Sequence, residues 1–169
     1  MRATSTLVVM AVLMGVGCAP VNEEAEEAEA PAATPVPDIT DGTLPIFLTA
    51  AGLQWADLDP VGAPGVQLAT LWGDPGSGAF GAYMRLPAGF ASPLHTHTHA
   101  MKVAFVSGTY IQEPDGGEVV HLGPGSFMMQ PGGDYRHRTS CGTDADCIFF
   151  VESAGAFDLH VVADSTPGN

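Results

Sequence analysis

Six histidines carry most of the chemistry in this 169-residue chain, and all lie in its second half: His95, His97, His99, His121, His137 and His160. Three of them alternate in the run HTHTH. On an extended strand, successive side chains point to opposite faces, so a period of two would set His95, His97 and His99 on one face. The same parity continues through Met101, Val103 and Phe105, which are apolar. The histidine face is therefore expected to point inward, with Thr96, Thr98 and Lys102 pointing away. Buried imidazoles need partners, and several on one inward face suggest a metal or catalytic site. A lone buried histidine, by contrast, is more often a satisfied core residue. Distance limits which rings can share one ion. At about 3.3 Å per residue, His95 and His97 start about 7 Å apart and His95 and His99 about 13 Å, too far without a kink. One ion takes either His95 with His97 or His97 with His99.

The elements that must hold these side chains are short. Gly and Pro together number 35, which suits strands joined by tight turns. Apolar runs at 66–72, 79–86, 101–107, 109–113, 118–122, 126–130, 147–153 and 157–162 are mostly closed by turn residues. Ile46 to Asp57 could form a helical turn or two. Eight or more such strands with frequent turns predict an all-β sandwich or barrel. No Gly-x-Ser-x-Gly elbow, P-loop or dinucleotide fingerprint appears.

The segment GFASPLHTHTHAMKVAFVSG fits Gly-x5-His-x-His-x3-Glu-x6-Gly, the first motif of the cupin superfamily, at Gly89, His95, His97 and Gly108. Met101 stands where that motif has its carboxylate. GSFMMQPGGDYRH resembles the second motif, Gly-x5-Pro-x-Gly-x2-His, at Gly125, Pro131 and Gly133. Arg136 takes the expected histidine place, and His137 comes one residue late. The resemblance covers roughly Val66 to Val162. With LWGDPGSGAFG and the C-x5-C followed by FFVES, it resembles a bacterial cupin family of unknown function related to zinc-binding anti-sigma-factor cupin domains. It implies a single-domain jelly-roll barrel with a divalent metal, zinc or iron, held by His95, His97 and His137. His99 is a candidate to hydrogen-bond a ligand imidazole or to replace one as ligand. Met101 is a packing residue or a soft ligand suited to Cu(I). Three imidazoles leave positions open for water or a small-molecule substrate. By family analogy a homodimer is the assembly to test. Asp134 reads as a turn residue or a partner for a ligand imidazole. His121 reads as structural or exposed, and His160 has no assigned role. Tyr83, Arg85, Tyr110 and Tyr135 are candidate pocket groups of unfixed parity.

The chain's beginning reads as an address. Arg2 precedes the apolar run Leu7 to Val16, which is shorter than the roughly 20 residues that cross a bilayer. Residues 1–17 are expected to be a lipoprotein signal peptide, with Cys18 as the lipidated residue, although Gly15 replaces the usual Leu. Residues 18–45 are acidic and Pro-rich, which predicts a disordered linker before a barrel over 46–169. Lipid anchoring would place the protein in the bacterial cell envelope, touching membrane only through its acyl chains. Exported proteins meet oxidising conditions, so Cys141 and Cys147 are expected to form a disulfide, with a thiolate metal pair as the alternative.

The charge agrees. The chain has 5 Lys+Arg against 19 Asp+Glu, a net charge of -14, which disfavours nucleic acid. Seven of those acids lie in the linker, and the segment from Ile46 onward keeps 12 acids and 4 bases. Three functions fit these residues: a metal-dependent enzyme acting on a small molecule, a non-catalytic binding or sensing cupin, and a metal-free structural barrel. They set no reaction class, whether oxygenase, isomerase or hydrolase.

Overall fold

Alternation of burial, broken in the strand Phe80–Leu86 only by the buried Gly81, shapes the strands that carry the core. In β10 (Cys147–Ser153) the buried positions are Cys147, Phe149, Val151 and Ser153. In β5 (Met101–Ser107) they are Met101, Val103 and Phe105. In β3 (Phe80–Leu86) the alternate residues Phe80, Ala82, Met84 and Leu86 are buried. A period of two with one apolar face builds a sheet that covers a core on one side.

The computed structural model describes residues 45–163. The expected signal peptide, Cys18 and the acidic stretch up to residue 44 lie outside the described residues, as do the last six. The remaining strands are β1 (Ala56–Asp59), β2 (Ala63–Gly73), β4 (His95–Thr96), β6 (Tyr110–Pro114), β7 (Val120–Leu122), β8 (Phe127–Gln130), β9 (His137–Cys141) and β11 (His160–Val161). They form a six-stranded sheet in the order β1-β2-β3-β10-β5-β8 and a five-stranded sheet in the order β11-β4-β9-β6-β7. Every pairing is antiparallel. This is the expected all-β jelly roll. Its core includes Val66, Leu68, Phe80, Met84, Val103, Phe105, Phe149 and Val151. Cys141 and Cys147 are joined by a disulfide. It links the end of β9 to the start of β10, and thus one sheet to the other.

Three expectations about the elements change. The helical turns expected over Ile46 to Asp57 shrink to one 3-10 turn at Ala50–Gly52, and the chain then enters β1. The last strand is only His160–Val161. HTHTH is not one strand leading into the next apolar run. β4 ends at Thr96, Thr98 and His99 bend, and β5 begins at Met101 in the other sheet. The chain crosses between sheets there, so the shared parity of the three histidines breaks.

Glycine secures that crossing. A side chain at Gly132 would place its Cβ 2.5 Å from the Thr98 carbonyl oxygen and 2.7 Å from the His99 carbonyl carbon. The loop after β8 can rest on the crossover only because residue 132 has no Cβ. The Gly133 N–H then donates to the His97 carbonyl at 2.8 Å.

Candidate metal centre

The site begins with strand register. In the β4–β9 pair, His95 sits directly opposite His137. Directly opposed side chains on one face are close neighbours, and their ring centroids are 4.2 Å apart. His97 follows two residues on, with centroids 4.9 Å from His95 and 5.4 Å from His137. One ring nitrogen from each of the three lies within 4.8 Å of the others, and all three side chains are buried. Three buried histidines so grouped could hold a metal ion.

The backbone fixes which nitrogen each ring offers. His95 Nδ1 donates to the Pro93 carbonyl at 2.8 Å, and His137 Nδ1 to the Tyr135 carbonyl at 3.4 Å. His97 Nδ1 donates to the Asp158 carbonyl. A carbonyl oxygen only accepts, so each Nδ1 carries the proton and each Nε2 keeps a lone pair. His137 Nε2 is buried and has no hydrogen-bond partner among the described residues. A buried acceptor left unpaired is costly, and a metal ion would satisfy it. The donor set fits a divalent ion of borderline softness on this ground.

Electrostatics keeps the rings neutral. Burial holds His97 down at about 4, with the Asp158 carbonyl opposing and His95 adding to the shift. His137 is also held at about 4, first by burial and then by the neighbouring His95 and His97. Burial lowers His95 as well, opposed by its bond to Pro93. Neutral imidazole is the form that binds metal.

A strap closes over this group. Phe157 packs on His97 at 5.5 Å between centroids. The Thr98 N–H donates to the Asp158 carboxylate at 2.8 Å. His160 Nε2 lies 3.2 Å from that carboxylate and 3.2 Å from Thr98 Oγ1. Burial works to raise the Asp158 carboxyl, yet the bonds from Thr98 and His160 hold it below the ordinary range. On the other side, Tyr135 stacks on His137 at 5.2 Å.

The other expected residues divide. His99 lies apart from the three-nitrogen group. Its ring occupies the space above Gly155, where a Cβ would meet His99 Nε2 at 2.3 Å. Met101 is buried in the wall of a cavity that His95 and His97 also line. His137, one residue late against the motif, still enters the group, while Arg136 points to a salt bridge with Asp115 at 3.0 Å. His121 and Asp134 are exposed. Tyr83 packs on Phe150, and Arg85 stacks over Trp55 at 4.2 Å. Tyr110 is buried, with its hydroxyl 3.1 Å from Gln112 and 2.9 Å from Thr139, and burial pushes its phenol up to about 12. Asp158, Phe157 and Gln130 were missed by sequence reasoning. Asp158 acts largely through its backbone, which no residue type announces. Gln130 is the last residue of the run 126–130, and nothing in that run marks its amide as a site group.

Two antiparallel sheets with three inward histidines between them have the architecture of the cupin fold. The chain belongs to the family described as Domain of unknown function (DUF4437), whose model matches residues 14–160. No curated protein sequence matches it. Among solved structures, the chain is similar to the polyketide cyclase RemF from Streptomyces resistomycificus. That match has a TM-score of 0.60 and 17% identity, covering 73% of this chain and 89% of the other. A cupin-2 domain from Rhodospirillum rubrum has a TM-score of 0.55 and 19% identity, covering 72% and 85%. A sugar phosphate isomerase of the cupin superfamily from Silicibacter pomeroyi has a TM-score of 0.53 and 21% identity, covering 64% and 75%. At such identities the likeness establishes the shared fold.

Proposed function

We propose that this chain is a metal-binding cupin of the bacterial cell envelope, which binds or converts a small molecule at a divalent ion held by His95, His97 and His137. The observation that carries this reading is His137. Its Nδ1 is taken by a backbone carbonyl, while its buried Nε2 has a lone pair and no partner among the described residues. Zinc and iron(II) both suit three neutral imidazoles with open positions, and the resemblance to zinc-binding anti-sigma-factor cupins favours zinc. A bound ion supplies Lewis acidity to a water or a carbonyl oxygen. The chain's own part is to hold three Nε2 atoms inward through the carbonyls of Pro93, Tyr135 and Asp158, and to exclude water with Phe157.

Metal content of protein purified without added metal tests this reading. About one ion per chain is expected, falling sharply in His95→Ala and His97→Ala. A parent free of metal, or full retention in both variants, overturns it and leaves a structural barrel. Met101 favours a second reading, binding or sensing without turnover, because the wall lacks the usual carboxylate at that position.

The envelope location rests on residues 1–17 as a lipoprotein signal, Cys18 as the lipid anchor and 18–45 as the spacer before the barrel. Labelled palmitate is expected to enter the parent and not Cys18→Ser. Label retained in that variant removes the anchor. A homodimer, suggested by family analogy, is checked by light scattering.

A further inference from the structure

The cavity beside the histidines has a volume of about 540 Å³ and is walled mainly by carbon, including Val66, Met84, Val103, Phe149, Val151 and Phe157. That volume lies in the range of small-molecule sites. Among the described residues its lining contains no Lys or Arg, and its two carboxylates are already engaged. Asp59 accepts from the Val61 and Gly62 N–H groups, and Asp158 accepts from Thr98 and pairs with His160. The hydroxyls are engaged too: Tyr110 with Gln112 and Thr139, and Ser92 with the Thr139 N–H. Gln130 differs. It is 3% exposed, it lines the cavity, and its amide Nε2 has no partner among the described residues. It pairs in register with Met101 across β5 and β8. It ends β8 three residues before Gly133, whose N–H holds the His97 carbonyl, so it stands at the histidine end.

From these features we infer that the cavity takes a largely apolar small molecule bearing one anionic or carbonyl oxygen. Its body fills the apolar space, and the Gln130 amide grips the oxygen at the histidine end. This rests on the metal reading above in one respect. Three neutral imidazoles, with Met101 in place of a carboxylate, leave a divalent ion's charge uncompensated, and an anionic or strongly dipolar oxygen compensates it. Apolar lining without basic residues disfavours polyols and phosphate esters, whose hydroxyls and charges would be stripped of water without replacement. An unpaired buried amide gains most from a ligand that brings one hydrogen-bonding oxygen.

The test uses the full chain loaded with zinc, its metal stoichiometry measured in the same sample. Two probes are titrated calorimetrically: 2-naphthoate, an apolar body with one carboxylate, and glucose 6-phosphate. Naphthoate is expected to bind saturably and at least about tenfold more tightly. Gln130→Met, similar in size and without the amide, is expected to weaken naphthoate about fivefold to tenfold while metal stoichiometry stays unchanged. Metal-loaded protein that ignores naphthoate, or prefers glucose 6-phosphate, overturns the inference and leaves the metal reading standing. An unchanged naphthoate affinity in a folded Gln130→Met overturns the role of Gln130. A chain that takes up no zinc overturns both readings. If Gln130→Met fails to fold, the contrast between the two probes on the parent still decides the ligand class.

Discussion

β9 and β10 are consecutive, lie in different sheets, and are tied end to start by the Cys141–Cys147 disulfide. Both bury every second residue. The inward face of β10 is Cys147, Phe149, Val151 and Ser153, whereas that of β9 is His137, Thr139 and Cys141. One strand therefore encloses apolar volume, and the other presents polar groups that need partners. The same pleat serves both purposes. What distinguishes scaffold from site is the chemistry placed on the inward positions, not the backbone that carries them.

Truncating one inward residue on each strand should separate these roles most widely. Phe149→Ala removes a buried ring from the core and is expected to cost about 3–5 kcal/mol in urea denaturation of metal-free protein. His137→Ala removes a ring whose Nε2 is already unpaired. Its cost in metal-free protein is expected to stay below about 2 kcal/mol, because the lost packing is offset by relief of a buried unsatisfied atom. Equal losses in the two variants would erase the distinction. The double variant Cys141→Ser, Cys147→Ser cuts the link between the strands. It closes only a short loop, so about 2 kcal/mol is expected, read as a lower denaturation midpoint.

The contrast also explains what sequence reasoning could reach. β5 and β10 were legible to the residue, because their alternation is apolar against polar. β9 was not proposed as a strand, since RHRTSC has no apolar face to reveal its period. β1, with the sequence Ala-Asp-Leu-Asp, offered only one large apolar residue and was missed for the same reason. The family resemblance nevertheless named His95, His97 and His137, the last one residue off the motif, and these are the three rings the structure gathers. The parity of HTHTH alone could not separate His99 from them. That depends on a bend between two sheets, set by the approach of Gly132, a contact between residues more than thirty positions apart. Gln130 and Asp158 were unreadable because their roles depend on what surrounds them rather than on what they are.

A third contrast is a slope with pH, and it belongs to the histidine side, to His97 after β4 and His137 on β9. His97 and His137 are held near 4 in the folded chain, against an ordinary value of 6.5. Between those values the unfolded chain binds more protons than the folded one, so unfolding is favoured as pH falls. Stability of metal-free protein is therefore complete above about 6.5 and declines as the pH drops towards 4. The slope should be read from melting temperatures across that window, and it should flatten in His137→Ala while surviving in Phe149→Ala. Metal-loaded protein should decline more steeply, because protons then compete with the ion for the same Nε2 atoms. A slope unchanged by His137→Ala would mean that the one buried ring of β9 is no more sensitive to protons than the apolar face of β10.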